Sequence, residues 1–193
     1  MTTTPTEFPT LTFENVATLE QWMHDNHRQA NGVWIQIAKK ASGIASVTHD
    51  EALDIALCFG WIDGQRKSLD NAWFLQKFTP RRPRSLWSKR NIEKVTSLIE
   101  AGRMQESGIA EIDLAKADGR WDAAYDSPKN MKVPEDFLEA LKDNDKARTF
   151  FDTLNKTNRF AIAWRLETAR TPATRQRRLG VLIAMLERGE KFY

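Results

Sequence analysis

The run Thr79-Pro-Arg-Arg-Pro-Arg84 sets the strongest limit on how this chain can fold. Each proline removes a backbone donor and restricts the residue before it, so the run suits neither regular helix nor central strand. Before it lie three segments of strand character, at 33–40, 61–68 and 73–79. The last two flank Leu69-Asp70-Asn71-Ala72, which predicts an antiparallel hairpin. After it every periodic segment reads as helix: 88–101, 107–117, 134–141, 146–154, 158–169 and 172–188.

Two further helices precede the hairpin. Thr18-Leu-Glu-Gln21 has the form of a capping box and predicts a short helix to about His27; Thr48-His-Asp-Glu51 predicts a second, stopped by Gly60. The opening dozen residues, rich in Thr and Pro, read as an extended arm. The expected class is α+β: a small antiparallel sheet of about three strands packed with helices, followed by a C-terminal helical region. Residues 1–118 are expected to form the α+β domain and 134–193 the helical one, packed as one unit or two.

The chain has 193 residues, of which 41% are hydrophobic, enough for one sizeable core. No apolar run approaches the ~20 residues of a membrane span. The N-terminus has no basic and apolar leader pattern, so no secretory signal is expected. A single cysteine excludes an internal disulfide framework and a multi-cysteine zinc site. The expected location is cytoplasmic. Net charge is +3 but unevenly placed: −4 over 1–76, +6 over 77–103, −6 over 104–145 and +7 over 146–193. Two basic blocks around an acidic one fit either a binding face or surfaces that pair within the chain.

Two stretches carry a resemblance, Cys58-Phe-Gly-Trp-Ile-Asp-Gly-Gln-Arg-Lys67 and Phe78-Thr-Pro-Arg-Arg-Pro-Arg-Ser-Leu-Trp-Ser-Lys-Arg-Asn91. They resemble the YdeI/OmpD-associated bacterial family, labelled bacteriocin-protection proteins, over about 13–104. The likeness continues weakly through the final helices at Trp164 and Thr171-Pro-Ala-Thr-Arg175. The resemblance implies a stress-protection role and names no reaction.

The residues themselves point to anion binding. Arg81, Arg82 and Arg84 sit on a stiff backbone, and guanidinium groups suit bidentate carboxylate or phosphate contacts. Ser85 or Ser88 can cap the helix that follows, which would bring free amides and the positive dipole end close by. Trp87 offers a stacking surface. The candidate ligand-binding set is Trp61, Asp63, Arg66, Lys67, Arg81, Arg82, Arg84, Ser85, Trp87, Ser88 and Asn91. The competing reading pairs these arginines with acidic residues of 104–145.

Asp63 is the one candidate catalytic residue, as a base or an orienter of Arg81 or Arg82. Its structural alternative is an ion pair with Arg66 or Lys67. Cys58 reads as a buried small hydrophobe. His24 and His27, three apart, fit a solvated helix face better than a metal site; no metal and no cofactor are expected. The expected function is binding of an anionic small molecule or a protein partner through the basic face. The alternatives are nucleic acid on the same face, extended by Arg175, Arg177 and Arg178, or an enzyme using Asp63 with Arg81 and Arg82.

Overall fold

The computed structural model describes residues 8–127 and 130–193. The chain divides into two compact units, one of residues 1–87 and 91–123 and a second of residues 88–90 and 124–193. The α+β class holds.

In the first unit β1 (Thr10–Thr12), β2 (Val33–Ala38), β3 (Trp61–Ser68) and β4 (Trp73–Pro80) form one sheet in the order β1-β2-β4-β3. The predicted hairpin is β3–β4, with Asp70 accepting from the amides of Ala72 and Trp73 to close its turn. The sheet has a fourth strand where the sequence suggested only an arm. Residues Thr10–Thr12 pair parallel to β2, so the sheet is mixed and not wholly antiparallel. Pro80 ends β4, which the proline rule alone would not place in a central strand. The next amide, Arg81, donates to Gly60 on the β3 side, so the missing proline donor faces the β2 side, where pairing has already ended at Phe78.

Cross-strand register sorts the side chains onto two faces. Val33, Ile35 and Ile37 share one face with Phe78, Gln76 and Phe74 and are buried. The other face carries Trp34, Ile62, Lys67, Leu75, Lys77 and Thr79. The register slips between Asp63 and Arg66, and the buried Gln76 amide pins this bulge by donating to the carbonyls of Gly64 and Gln65.

Helix α1 (Val16–Asn26) starts one turn before the predicted capping box. Asn15 is the N-cap, and Thr18, expected as the cap, is its reciprocal partner. Helix α2 (His49–Cys58) has the predicted Thr48/Glu51 box. Helix α3 (Lys89–Glu100) sets Asn91, Val95 and Leu98 inward. Helix α4 (Glu106–Ala117) crosses the end of α2, where the amide of its N-cap Gln105 and the Ser107 hydroxyl donate to the carbonyls of Cys58 and Phe59 at 3.0 Å each.

The second unit contains α5 (Glu135–Lys142), α6 (Asp145–Asp152), α7 (Lys156–Glu167) and α8 (Pro172–Glu187). Phe137, Phe151, Ile162, Leu166, Leu182 and Leu186 fill its core. Thr171-Pro-Ala-Thr-Arg175 is a helix start in which Thr171 caps the Thr174 amide and Pro172 occupies the first turn. Arg175 then reaches back, forming two bonds to the Asp136 carboxylate (2.7 and 2.8 Å) and one to the Leu166 carbonyl (2.8 Å). Arg175 therefore clasps three helices. Its hydrogen bonds hold the Asp136 carboxyl below the ordinary value of 3.8. This stabilisation is complete above that value and is lost as pH falls through the lowered one. Asp136→Asn is expected to cost about 1 kcal/mol near neutrality, because the pair is half exposed and screened. The difference from wild type should shrink progressively in urea melts taken at pH values below 3.8.

No helix of the described residues is long and apolar enough to cross a membrane. Residues 1–7 of the expected N-terminal arm, and Pro128 before α5, lie outside the described residues.

Candidate anion-binding site

Adjacent arginines of the proline block have opposite fates. Arg81 is 6% exposed, and its guanidinium stacks 3.7 Å from the Trp87 ring centre while Nη1 donates to the Leu86 carbonyl at 3.3 Å. Glu111 lies within its field: burial pushes that carboxyl up, and Arg81 and Arg120 pull it back. Arg120, also buried, binds both Asp118 oxygens at 2.7 Å and the Ser85 carbonyl at 2.9 Å. Arg81, Trp87 and Arg120 are thus parts of the unit's interior, with the partly buried Glu111 in their field. Arg81 is therefore a packed side chain stacked on Trp87, with Glu111 of the acidic segment in its electrostatic field.

Arg82 is exposed, and among the described residues it forms no ion pair. The block here is a turn, not the extended backbone expected of it. The Ser85 amide donates to the Arg82 carbonyl at 2.9 Å, with Pro83 and Arg84 at the central positions. Arg84 has φ +66°, as the third residue of a type II turn requires, in a place that usually takes glycine. That turn sets Arg82 and Ser85 on one side of a groove of about 390 Å³, completed by Ile62, Gly64, Gln65, Lys77, Thr79 and Pro80. The lining contains two cations and no carboxylate. Its volume suits a small ligand.

The other candidates divide between core and surface. Trp61 is 1% exposed, and its indole donates to the His27 carbonyl at 3.2 Å. Asp63 sits on the helix-covered face beside His49 (3.2 Å), so its partner is neither Arg66 nor Lys67. It does not line the groove, and it does not converge there with Arg82. Arg66 bonds Gln76 and lies 4.4 Å from the Phe74 ring. Lys67 crosses the outer sheet face to the Trp34 ring, 4.5 Å away. Ser88 belongs to the second unit, where it bridges to Tyr125, and Asn91 is buried; no residue of α3 lines the groove.

Sequence reasoning missed Lys77 and Thr79. The available signal was register: in the predicted hairpin Lys77 shares a face with Thr79, opposite to Phe78 and Pro80. In the second basic patch Arg175 is held by Asp136, and Arg178 donates to the Arg165 carbonyl and the Thr168 hydroxyl. Burial pushes the Cys58 thiol up to about 11, which suits a packing residue. Among the described residues no group of three or more His, Cys, Asp or Glu side chains could hold a metal ion.

Two family models match the chain. Residues 11–111 match a domain of unknown function (DUF8412). Residues 130–189 match the family described as bacteriocin-protection, YdeI or OmpD-associated. The named family therefore falls on the segment with Trp164 and Thr171–Arg175, while the motifs at 58–67 and 78–91 fall under the first match. No curated protein and no solved structure matches.

Proposed function

Because the chain belongs to the family of the domain of unknown function spanning residues 11–111, and carries a bacteriocin-protection, YdeI or OmpD-associated match at 130–189, we propose that it is a protective binding protein whose first unit holds a small anion. The observation that carries this reading is the lining of the groove, to which Lys77 and Arg82 both contribute and no carboxylate does. The Ser85 hydroxyl and Thr79 add neutral hydrogen-bonding groups. Arg82 supplies the fork-shaped donor that phosphate and carboxylate oxygens match. In this reading the cytoplasm is the place of action. The placement of Asp63 across the sheet from the groove favours binding over catalysis.

Titration calorimetry with inorganic phosphate and pyrophosphate tests the reading, on wild type and on Lys77→Gln/Arg82→Gln. Wild type is expected to bind pyrophosphate more tightly than phosphate, and the double variant is expected to lose at least tenfold in affinity with an unchanged melting temperature. At 100 times the dissociation constant, the ligand should add about 2.7 kcal/mol to wild-type stability. Equal binding by both proteins would overturn the proposal.

A further inference from the structure

The groove opens onto a sheet face that carries more than an anion needs. On that face Trp34 is only 9% exposed, covered in part by two ammonium groups, Lys67 at 4.5 Å and Lys77 at 6.0 Å from the ring centre. Lys77 also lies 4.4 Å from the Phe8 ring. Trp34 pairs with Lys77 across β2 and β4, Leu75 with Lys67 across β4 and β3, and Ala38 with Trp73 at the hairpin end. Trp73 and Lys77 are four residues apart on one face of β4, about 13 Å. Register places no Asp or Glu on this face of the four strands.

We propose that this outer sheet face binds single-stranded nucleic acid, with one base stacked on Trp73, another on Trp34 once its lysine cover moves off, and phosphates held by Lys67, Lys77 and Arg82. The proposal rests on the groove being an anion site. It adds the ligand's class and extends the site to Lys67 and the aromatic residues, which lie outside the groove lining.

Each component has a physical role. Every base has a π-face, so aromatic residues on a flat sheet hold single strands with little sequence preference. A lysine lying on a tryptophan keeps that ring face covered until a base takes its place. The released ammonium, on a flexible four-carbon stem, can then reach the phosphate next to that base. In a duplex the base faces are stacked on one another, so it can use the cations but not the aromatic row. An acidic peptide would likewise leave the row unused.

Fluorescence anisotropy with a labelled 12-nucleotide oligothymidine, across a salt series, tests this against a duplex of equal length. Three neutralised phosphates give a slope of about −2 in log affinity against log salt for a single strand. The wild type is expected to show this slope and to prefer the single strand at least tenfold. Lys67→Gln should flatten the slope by about 0.7. It should leave phosphate and pyrophosphate binding unchanged, since Lys67 does not line the groove. Trp73→Phe keeps an aromatic surface and should retain binding. Trp73→Leu should weaken it at least fivefold at unchanged slope. If pyrophosphate binds but the oligonucleotide does not, or binds no better than the duplex, this inference fails and the anion groove stands. If pyrophosphate does not bind either, both fail.

Discussion

Gly108→Ala is expected to cost about 3 kcal/mol of stability in the first unit, the steric penalty of forcing a methyl into a closed contact. A Cβ built at Gly108 would sit 2.2 Å from the Cys58 carbonyl oxygen and 2.7 Å from the Met104 methyl. The methionine end can swing away, but the carbonyl belongs to the last turn of α2. That carbonyl also accepts from the Gln105 amide, so α4 cannot retreat without breaking the cap it supplies. At Gly60 a similar Cβ would lie 2.8 Å from the Ser107 carbonyl, with φ +76° adding backbone strain. The crossing of α2 and α4 therefore depends on bare backbone on both sides. Chemical melts followed by tryptophan fluorescence measure the loss, and a Gly108→Ala protein as stable as wild type would show that the two helices are not so closely fixed.

The second large effect separates neighbouring arginines. Arg81→Ala is expected to cost about 2–3 kcal/mol, because it removes a buried side chain stacked on Trp87 and bonded to the Leu86 carbonyl and leaves the partly buried Glu111 with one fewer positive neighbour. Arg82→Ala should change stability by less than about 0.5 kcal/mol, as expected for an exposed side chain with no ion pair among the described residues. For binding the order reverses: Arg82→Ala should weaken pyrophosphate binding about fivefold, less than the double variant does, while whatever fraction of Arg81→Ala remains folded should bind as wild type does. Comparable stability losses in the two variants would contradict the assignment of Arg81 to the interior.

Nothing in the tetrad Arg81-Arg82-Pro83-Arg84 distinguishes these fates locally. Arg81 is drawn inward because its amide continues the β3 ladder at Gly60 and because Trp87 and Glu111 come to meet it from later in the chain. Such contacts have no local sequence signature. The hairpin, by contrast, was legible: alternation, a polar turn with Asp70 and flanking aromatic residues all point the same way. The helix starts at Thr48 and Thr171 were legible for the same reason, while α1 was displaced because Asn15 and Thr18 are both good caps and only geometry selects between them. Strand β1 gave no signal, since three residues are too few for a period, and their strand character comes from pairing with β2. The site was half legible. The sequence marks the arginines and Ser85, but Lys77 belongs with them only once register decides which face it takes.

The most direct measurement is an amide chemical-shift map of the protein titrated with pyrophosphate. The account expects the largest shifts at Gly64, Gln65, Thr79, Arg82 and Ser85, saturating together, with those shifts lost in Lys77→Gln/Arg82→Gln. Shifts concentrated instead around the cavity at His24, Arg28 and Ser107, or on α7 and α8, would show that the anion binds elsewhere and would contradict the account.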